Sequence, residues 1–590
     1  MGAGSGPAGM KPIYGIAAIH TPSLMLGSTI FLLARHRVAL WRGIRHHTSD
    51  RSARVTDKFK KISQLNIGSV DAINYSGRQE KDFLSRVFLR DSVLDRVLES
   101  KRYFLIGEKG TGKTAYATLL SNTEHKNTAS TIRSITGTDY QRFIKQKSLG
   151  HLQVSSFTDI WRVILLLLMA DNVLSSEGGA ILQSAKFLAL KAAAKTYRNS
   201  AFAPEIINAI EFVENAEINA EFTVSNVSKI GAKEGVSLKI AGSGFQTSLI
   251  HIEQQFRDAI GSLKLSKDHI LFIDGVDVRP SDIDFPLYIE CIKGLANAAW
   301  SLNLDYFSNV RDSKGRMKVV VLLRPDIFDA IGFHNSNAKI RDNSVQLDWK
   351  TTYSDYRTSR LFRLIDGILA KQQENGEALT LGSAWNHYFN YFIVNKRIAE
   401  RLDDPFVSFL RYSFYRPRDI ISYILILQEY VGQHHPNAES FTDNDFKSCQ
   451  QSYSEYLLGE VKDHLSFYHS EADFDELTGF FRFLNGKSRF SWRDFQHAFS
   501  EYNLSIKHRV LTIKQLTESP ESFLQFLYSM NVIGYDETSD DELANFSHWC
   551  FRDRSSVTLN PKIPPNLGAV TERPYSVHPG LARALKVGGV

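Results

Sequence analysis

Residues Gly107 to Thr114 read Gly-Glu-Lys-Gly-Thr-Gly-Lys-Thr, a complete G-x-x-x-x-G-K-[ST] loop between the apolar run Tyr103–Ile106 and a helix-compatible stretch from Ala115 to Leu120. A strand, a glycine loop and a helix in that order predict an α/β fold with a parallel sheet. The chemistry follows from the spacing. Glycines let backbone N–H groups converge on phosphate oxygens, Lys113 can reach β and γ oxygens, and the Thr114 hydroxyl can ligate Mg²⁺. The helix beyond presents its positive end to the anion. Gly107, Glu108, Lys109, Gly110, Thr111, Gly112, Lys113 and Thr114 are therefore expected to cradle a nucleoside triphosphate. An ordinary glycine turn is the competing reading.

A phosphate loop needs a carboxylate to hold the metal. Ile270-Leu-Phe-Ile273 reads as a buried parallel strand ending in Asp274-Gly-Val-Asp277, which places Asp274 where open α/β sheets bind ligands. Asp274 is expected to share Mg²⁺ with Thr114. Asp277 is expected to orient or deprotonate the attacking water. A third run, Lys318 to Leu323, ends in Arg324-Pro-Asp326, and an arginine at that place can sense a γ-phosphate.

An Asp-Gly-apolar-Asp segment followed by a strand closed by arginine resembles the STAND and NACHT branch of AAA-like ATPases, the signal-transducing switch NTPases. The layout also resembles bacterial P-loop ATPases, some of them near phage-defence genes. The resemblance spans about Phe59 to Gln428 at the level of motifs. It implies a P-loop NTPase core with helices on both faces of the sheet, a helical lid, ATP and Mg²⁺ as cofactors, ATP hydrolysis whose rate a departure at Val278 puts in question, and a homo-oligomer. In this pattern Arg341, just before the expected strand Ser344–Leu347, is a finger reaching a neighbouring subunit's nucleotide. Arg416 and Arg418, at the start of a lid helix, carry a second sensor, assigned to Arg418. One departure concerns hydrolysis: the family usually has Glu after the second Asp, and here Val278 follows Asp277. Surface salt bridges are the alternative role for these arginines.

The expected domains are a leader at 1–57, a core at 58–350 with a helical and hairpin insertion at about 125–260, a lid at 351–433, and a mainly helical, winged-helix-like region at 434–590. Within the insertion, Trp161–Met169 and Gly179–Tyr197 read as helices, and 221–240 as a hairpin suited to a protein partner. In the last region Pro520 opens a helix, Val532–Tyr535 and Phe546–Phe551 read as strands, and Tyr575–Leu585 as a closing helix.

The net charge is +6 over 590 residues, but residues 1–49 hold Lys11, Arg35, Arg37, Arg42 and Arg45 with no acidic residue, so the other 541 sum to +1. From Glu471 onward 13 Lys and Arg face 15 Asp and Glu. Phosphate neutralisation drives most nucleic-acid affinity, so nucleic acid is not the favoured partner. Lys487, Arg489 and Arg493, interleaved with Phe490 and Trp492, are the one local basic cluster, and a helix start capped by Ser491 explains them equally well. The uncharged stretch 13–34 is long enough, at 22 residues, to span a bilayer, yet it carries His20, Pro22 and several glycines. A leader or upstream extension, a membrane anchor and a cleaved targeting sequence are the alternatives, with the folded protein beginning near Lys58 and cytoplasmic. Cys291, Cys449 and Cys550 are too scattered for a zinc site or disulfide framework. Two further functions compete with the ATPase switch: an origin-recognition-like DNA-binding ATPase with a winged helix, and a P-loop phosphotransferase.

Overall fold

Five short runs pair in parallel: β1 (Phe104–Ile106), β2 (Thr128–Ser134), β3 (Asp268–Asp274), β4 (Met317–Leu323) and β5 (Ser344–Gln346), in the order β2-β3-β4-β1-β5. β1 and β4 are buried at every position, as expected of Val, Leu and Ile runs covered on both faces. The computed structural model describes residues 59–77, 79–137, 139–141, 144, 157–176, 250, 253–254, 256–311, 313–395, 401–469, 471–509, 511–538, 545–553 and 574–588. The leader, the Gly179–Tyr197 helix and the 221–240 hairpin lie outside the described residues.

Period-two alternation sends the strands' side chains to two separate cores. Phe104, Ile106, Val321 and Leu323 pack with helices α4 (Phe157–Ser176) and α5 (Phe285–Ser301). Leu105, Phe272, Val320 and Leu322 pack on the other face with α1 (Lys81–Val87), α2 (Ser92–Leu98) and α3 (Lys113–Asn122). Helices thus cover both faces, and α4 contains the expected Trp161–Met169 helix. After β1 the chain crosses to β2 at the far edge and returns through β3 and β4, and β5 is added on the other side of β1. β1 is therefore where strand order reverses, and its carboxyl end opens a crevice suited to a ligand.

α6 (Pro325–Ala330) and α7 (Ser336–Asn343) join β4 to β5. Beyond β5 come α8 (Arg360–Ala370), α9 (Ser383–Tyr388), the strand pair β6 (Ile393–Asn395) and β7 (Arg401–Asp403), α10 (Pro405–Tyr412), α11 (Pro417–His434), α12 (Asp443–Ser448) and α13 (Gln450–Ser466). α14 (Glu471–Gly479), α15 (Trp492–Ile506) and α16 (Pro520–Ser529) follow. They accompany an antiparallel sheet of β8 (Arg489–Phe490), β9 (Ile533–Thr538), β10 (Asn545–His548) and β11 (Tyr575–Val577), in the order β10-β9-β11-β8. One apolar core runs through the whole of this second half, from Phe362 and Trp385 through Tyr423 and Tyr453 to Phe523 and Tyr575. Ile62, Leu65 and Ile67 join it, tied by Gln428, whose Nε2 donates to the carbonyls of Ile62 and Leu65 at 2.8 and 2.7 Å.

Several local expectations hold. Pro520 occupies the first turn of α16, and the Ser519 hydroxyl accepts from the Ser522 amide at 3.0 Å. Ser491 caps α15 with a reciprocal bond to Asp494, a pairing that satisfies two end donors at once. The closing helix over Tyr575–Leu585 does not form. Tyr575–Val577 is the strand β11, and the chain then turns. Pro579 lacks an N–H and disfavours helix at the residue before it. A side chain at Gly580 would also meet the Tyr412 carbonyl, 2.2 Å from where its Cβ would lie. Among the described residues no helix is long and apolar enough to cross a membrane.

Candidate functional site

The glycine loop turns sharply between β1 and α3. Gly110 and Gly112 hold φ of +85° and +95°, a region only glycine occupies without strain. A side chain on Gly110 would also press on Arg418, whose Cβ lies 2.9 Å from where it would sit. The turn is braced from behind by Trp349, whose indole Nε1 donates to the Thr111 carbonyl at 2.9 Å. Trp349 is in turn covered by the Arg360 guanidinium, 4.4 Å from its ring.

Lys113, the first residue of α3, is buried and donates from Nζ to the carbonyls of Gly107 and Glu108 at 2.8 and 3.1 Å. Burial pulls its pKa down, while the carboxylates of Asp277 and Asp274 oppose that shift. Beside it the Thr114 hydroxyl donates to Asp274 Oδ2 at 2.6 Å, and the Gly275 amide donates to Asp274 Oδ1 at 2.9 Å. Burial raises the Asp274 pKa against the pull of Thr114. A desolvated carboxylate next to a hydroxyl is a hard-oxygen pair, and it fits Mg²⁺, which keeps most of its waters and takes few protein ligands. Among the described residues no group of three or more His, Cys, Asp or Glu could hold a metal.

These residues open into a cavity of about 500 Å³, within the range of small-molecule sites. Gly110, Gly112, Lys113, Thr114, Asp274, Asp277 and Arg418 line it, together with the apolar or aromatic side chains of Val70, Ile73, Phe88, Tyr116, Ile368 and Ile421. Sequence reasoning missed these six residues, and also Trp349, because nothing in their spacing ties them to the loop.

The four arginines fall in different places. Arg418 enters the cavity, its amide donating to the Gly110 carbonyl at 3.3 Å. Arg416 caps the start of α11, pairs with Asp419, and donates from Nη1 to the Lys109 carbonyl at 3.0 Å. Arg324 stands at the end of β4 as expected, but is only 2% exposed and is not among the cavity's lining residues. Its Nε donates to Asp326 Oδ1 at 3.0 Å, and its guanidinium lies 4.7 Å from the Phe467 ring centroid. Burial opposes the Arg324 charge, but the Asp326 carboxylate outweighs it and keeps the guanidinium ionised. Arg341 is exposed in the last turn of α7. Ser344 pairs with Phe104 and Gln346 with Ile106, so Arg341 sits at the amino end of the sheet, opposite this chain's own glycine loop.

The expected basic cluster is neutralised locally: Lys487 Nζ lies 2.8 Å from Asp494 Oδ1, and Arg489 pairs with Asp536. Phe490 and Trp492 are buried. No protein-family model, curated protein or solved structure matches the chain.

Proposed function

We propose that the chain is an Mg²⁺-dependent ATPase that works as a nucleotide-controlled switch, of the STAND-like kind its motifs resemble. The observation that carries this reading is the Thr114 hydroxyl on the Asp274 carboxylate at 2.6 Å, one residue along from the buried Lys113. Metal-ligand hydroxyl, metal-ligand carboxylate and phosphate-binding ammonium thereby meet at one helix N-terminus. The apolar residues in the cavity's lining support a nucleoside base bound together with the phosphates, since purine faces gain from aromatic and aliphatic contact. Asp277, in the same lining, is the group to position or deprotonate water. The neutralised surface around Lys487 and Arg489 works against the DNA-binding alternative, because free phosphate-facing cations drive such affinity.

Titration calorimetry with ATP and ADP, with and without Mg²⁺, and phosphate release in the presence and absence of duplex DNA, test the reading. Mg²⁺-dependent ATP binding with slow turnover supports it. No nucleotide binding overturns it, and submicromolar DNA binding at physiological salt with a steep salt slope moves the assignment to the DNA-binding alternative.

A further inference from the structure

α13 lies against the glycine loop, the turn after β4 and the start of α11. From one stretch of it, Asp463 Oδ2 meets the Lys109 ammonium at 2.5 Å, and Glu460 approaches three cations. Lys109 is 3.8 Å from Glu460 Oε1, and Arg416 and Arg418 are each 3.6 Å from Oε2. Just beyond, His464 lies 3.9 Å from Asp326, and the Tyr468 hydroxyl donates to the same carboxylate. Arg279, two residues after Asp277, donates from Nε to the Phe467 carbonyl at 2.6 Å. The glycine loop, the turns after β3 and β4, and the start of α11 all touch this one helix or the two residues after it.

These contacts differ in quality. The Arg324, Asp326 and Tyr468 group is joined by hydrogen bonds. The Glu460 contacts are all longer than a hydrogen bond, and its buried Oε2 has no hydrogen-bond partner. The buried Nε of Arg418 has none either. A buried ion pair without hydrogen bonds recovers little of its desolvation cost, and an unmet buried donor favours any acceptor that reaches it. Arg418 already lies against Gly110, so a terminal phosphate held by the loop offers that acceptor, with higher charge and shorter bonds.

We infer that Glu460 competes with the γ-phosphate for Arg418, so that this contact reports to α13 whether a nucleoside triphosphate or a diphosphate is bound. The inference rests on the nucleotide reading above and names the group through which it acts. A triphosphate draws Arg418 off Glu460 and weakens the hold on α13. A diphosphate has no γ oxygens to offer and leaves the pair in place. One of the contacts that hold this helix is therefore loosened by one ligand and not by the other.

The test uses the full chain with Mg²⁺, ADP and a non-hydrolysable ATP analogue. Glu460→Gln keeps the shape and removes the charge. It should raise affinity for the ATP analogue about tenfold, a shift of about 1.4 kcal/mol, and change ADP affinity less than twofold. Independently of how the variant folds, amide hydrogen exchange across 457–468 of the wild type should be faster with the ATP analogue than with ADP. If the wild type binds both nucleotides but exchange is the same with each, or Glu460→Gln shifts both affinities alike or neither, the competitor role is overturned and the nucleotide reading stands. If the wild type binds neither nucleotide, both fall.

Discussion

Replacing Lys113 with Ala tests the site at its centre. The Lys113 ammonium donates to the Gly107 and Glu108 carbonyls at 2.8 and 3.1 Å. Each such bond already has one ionised partner, and a phosphate oxygen adds a second, opposite charge, worth up to about 4 kcal/mol at 4 Å near a protein surface. Binding a triphosphate exchanges two carbonyl bonds for two phosphate bonds, a gain of about 1–4 kcal/mol, so the variant should lose of order a hundredfold in ATP affinity. Its stability without nucleotide should change little. The lost carbonyl bonds are offset by relief of a buried charge, whose desolvation is the largest influence lowering the Lys113 pKa. Calorimetric titration with ATP and Mg²⁺, alongside thermal melting by circular dichroism, separates the two quantities. A variant that melts like the wild type and binds ATP with unchanged affinity would refute the phosphate-loop assignment.

Asp277→Asn should keep nucleotide affinity while slowing turnover by on the order of a hundredfold. Asp274→Asn, which breaks the carboxylate bonded to Thr114, should instead weaken Mg²⁺-dependent binding. Normal turnover by the first and impaired turnover by the second would make Asp277 a turn residue only. Arg341 is exposed at the amino end of the sheet, so a finger role for it requires a neighbouring subunit's nucleotide. Turnover per subunit should rise with protein concentration, and Arg341→Ala should flatten that rise with ATP affinity intact, because a finger meets charge that develops in the transition state. Concentration-independent turnover unaffected by the substitution would make it a surface residue. His578 is fully buried, accepts at Nδ1 from the Gly580 amide, and burial lowers its pKa from 6.5 to about 3. The unfolded chain takes up a proton below about pH 6.5 that the folded chain refuses, so stability present above that pH is lost as pH falls toward 3, at up to about 1.4 kcal/mol per unit. His578→Phe, which cannot titrate, should decline less between pH 6.5 and 4.5, and equal declines in melting temperature would exclude His578 as the cause.

What could be read in advance was local chemistry with fixed spacing. Lys109, Gly110, Gly112, Lys113 and Thr114 of the glycine loop, Asp274 after its apolar strand and Arg418 after Pro417 are each marked by neighbours within a few residues, and they line one cavity. β2 went unread because Thr128-Ala-Ser-Thr-Ile-Arg-Ser is mostly polar. Among the described residues it is an edge strand with only β3 beside it, so it needs little apolar surface. Tyr575–Val577 was misread because apolar residues there match a helix as readily as a strand, and a run that short takes its form from its neighbours. Arg324 was placed correctly at the end of β4, but its partner was not foreseen. Asp326 stands two residues on, where the first turn of α6 brings it back under the guanidinium. Glu460 is harder still. It occupies an unremarked position in a helix, and Asp463 beside it reaches a lysine 354 positions earlier in the chain. Such a contact exists only because the second half of the chain shares one core and is laid across the carboxyl end of the sheet. Motif spacing identifies which groups can handle a phosphate. What opposes them when no phosphate is bound is decided by packing between distant segments, and there the sequence pattern carries no period to read.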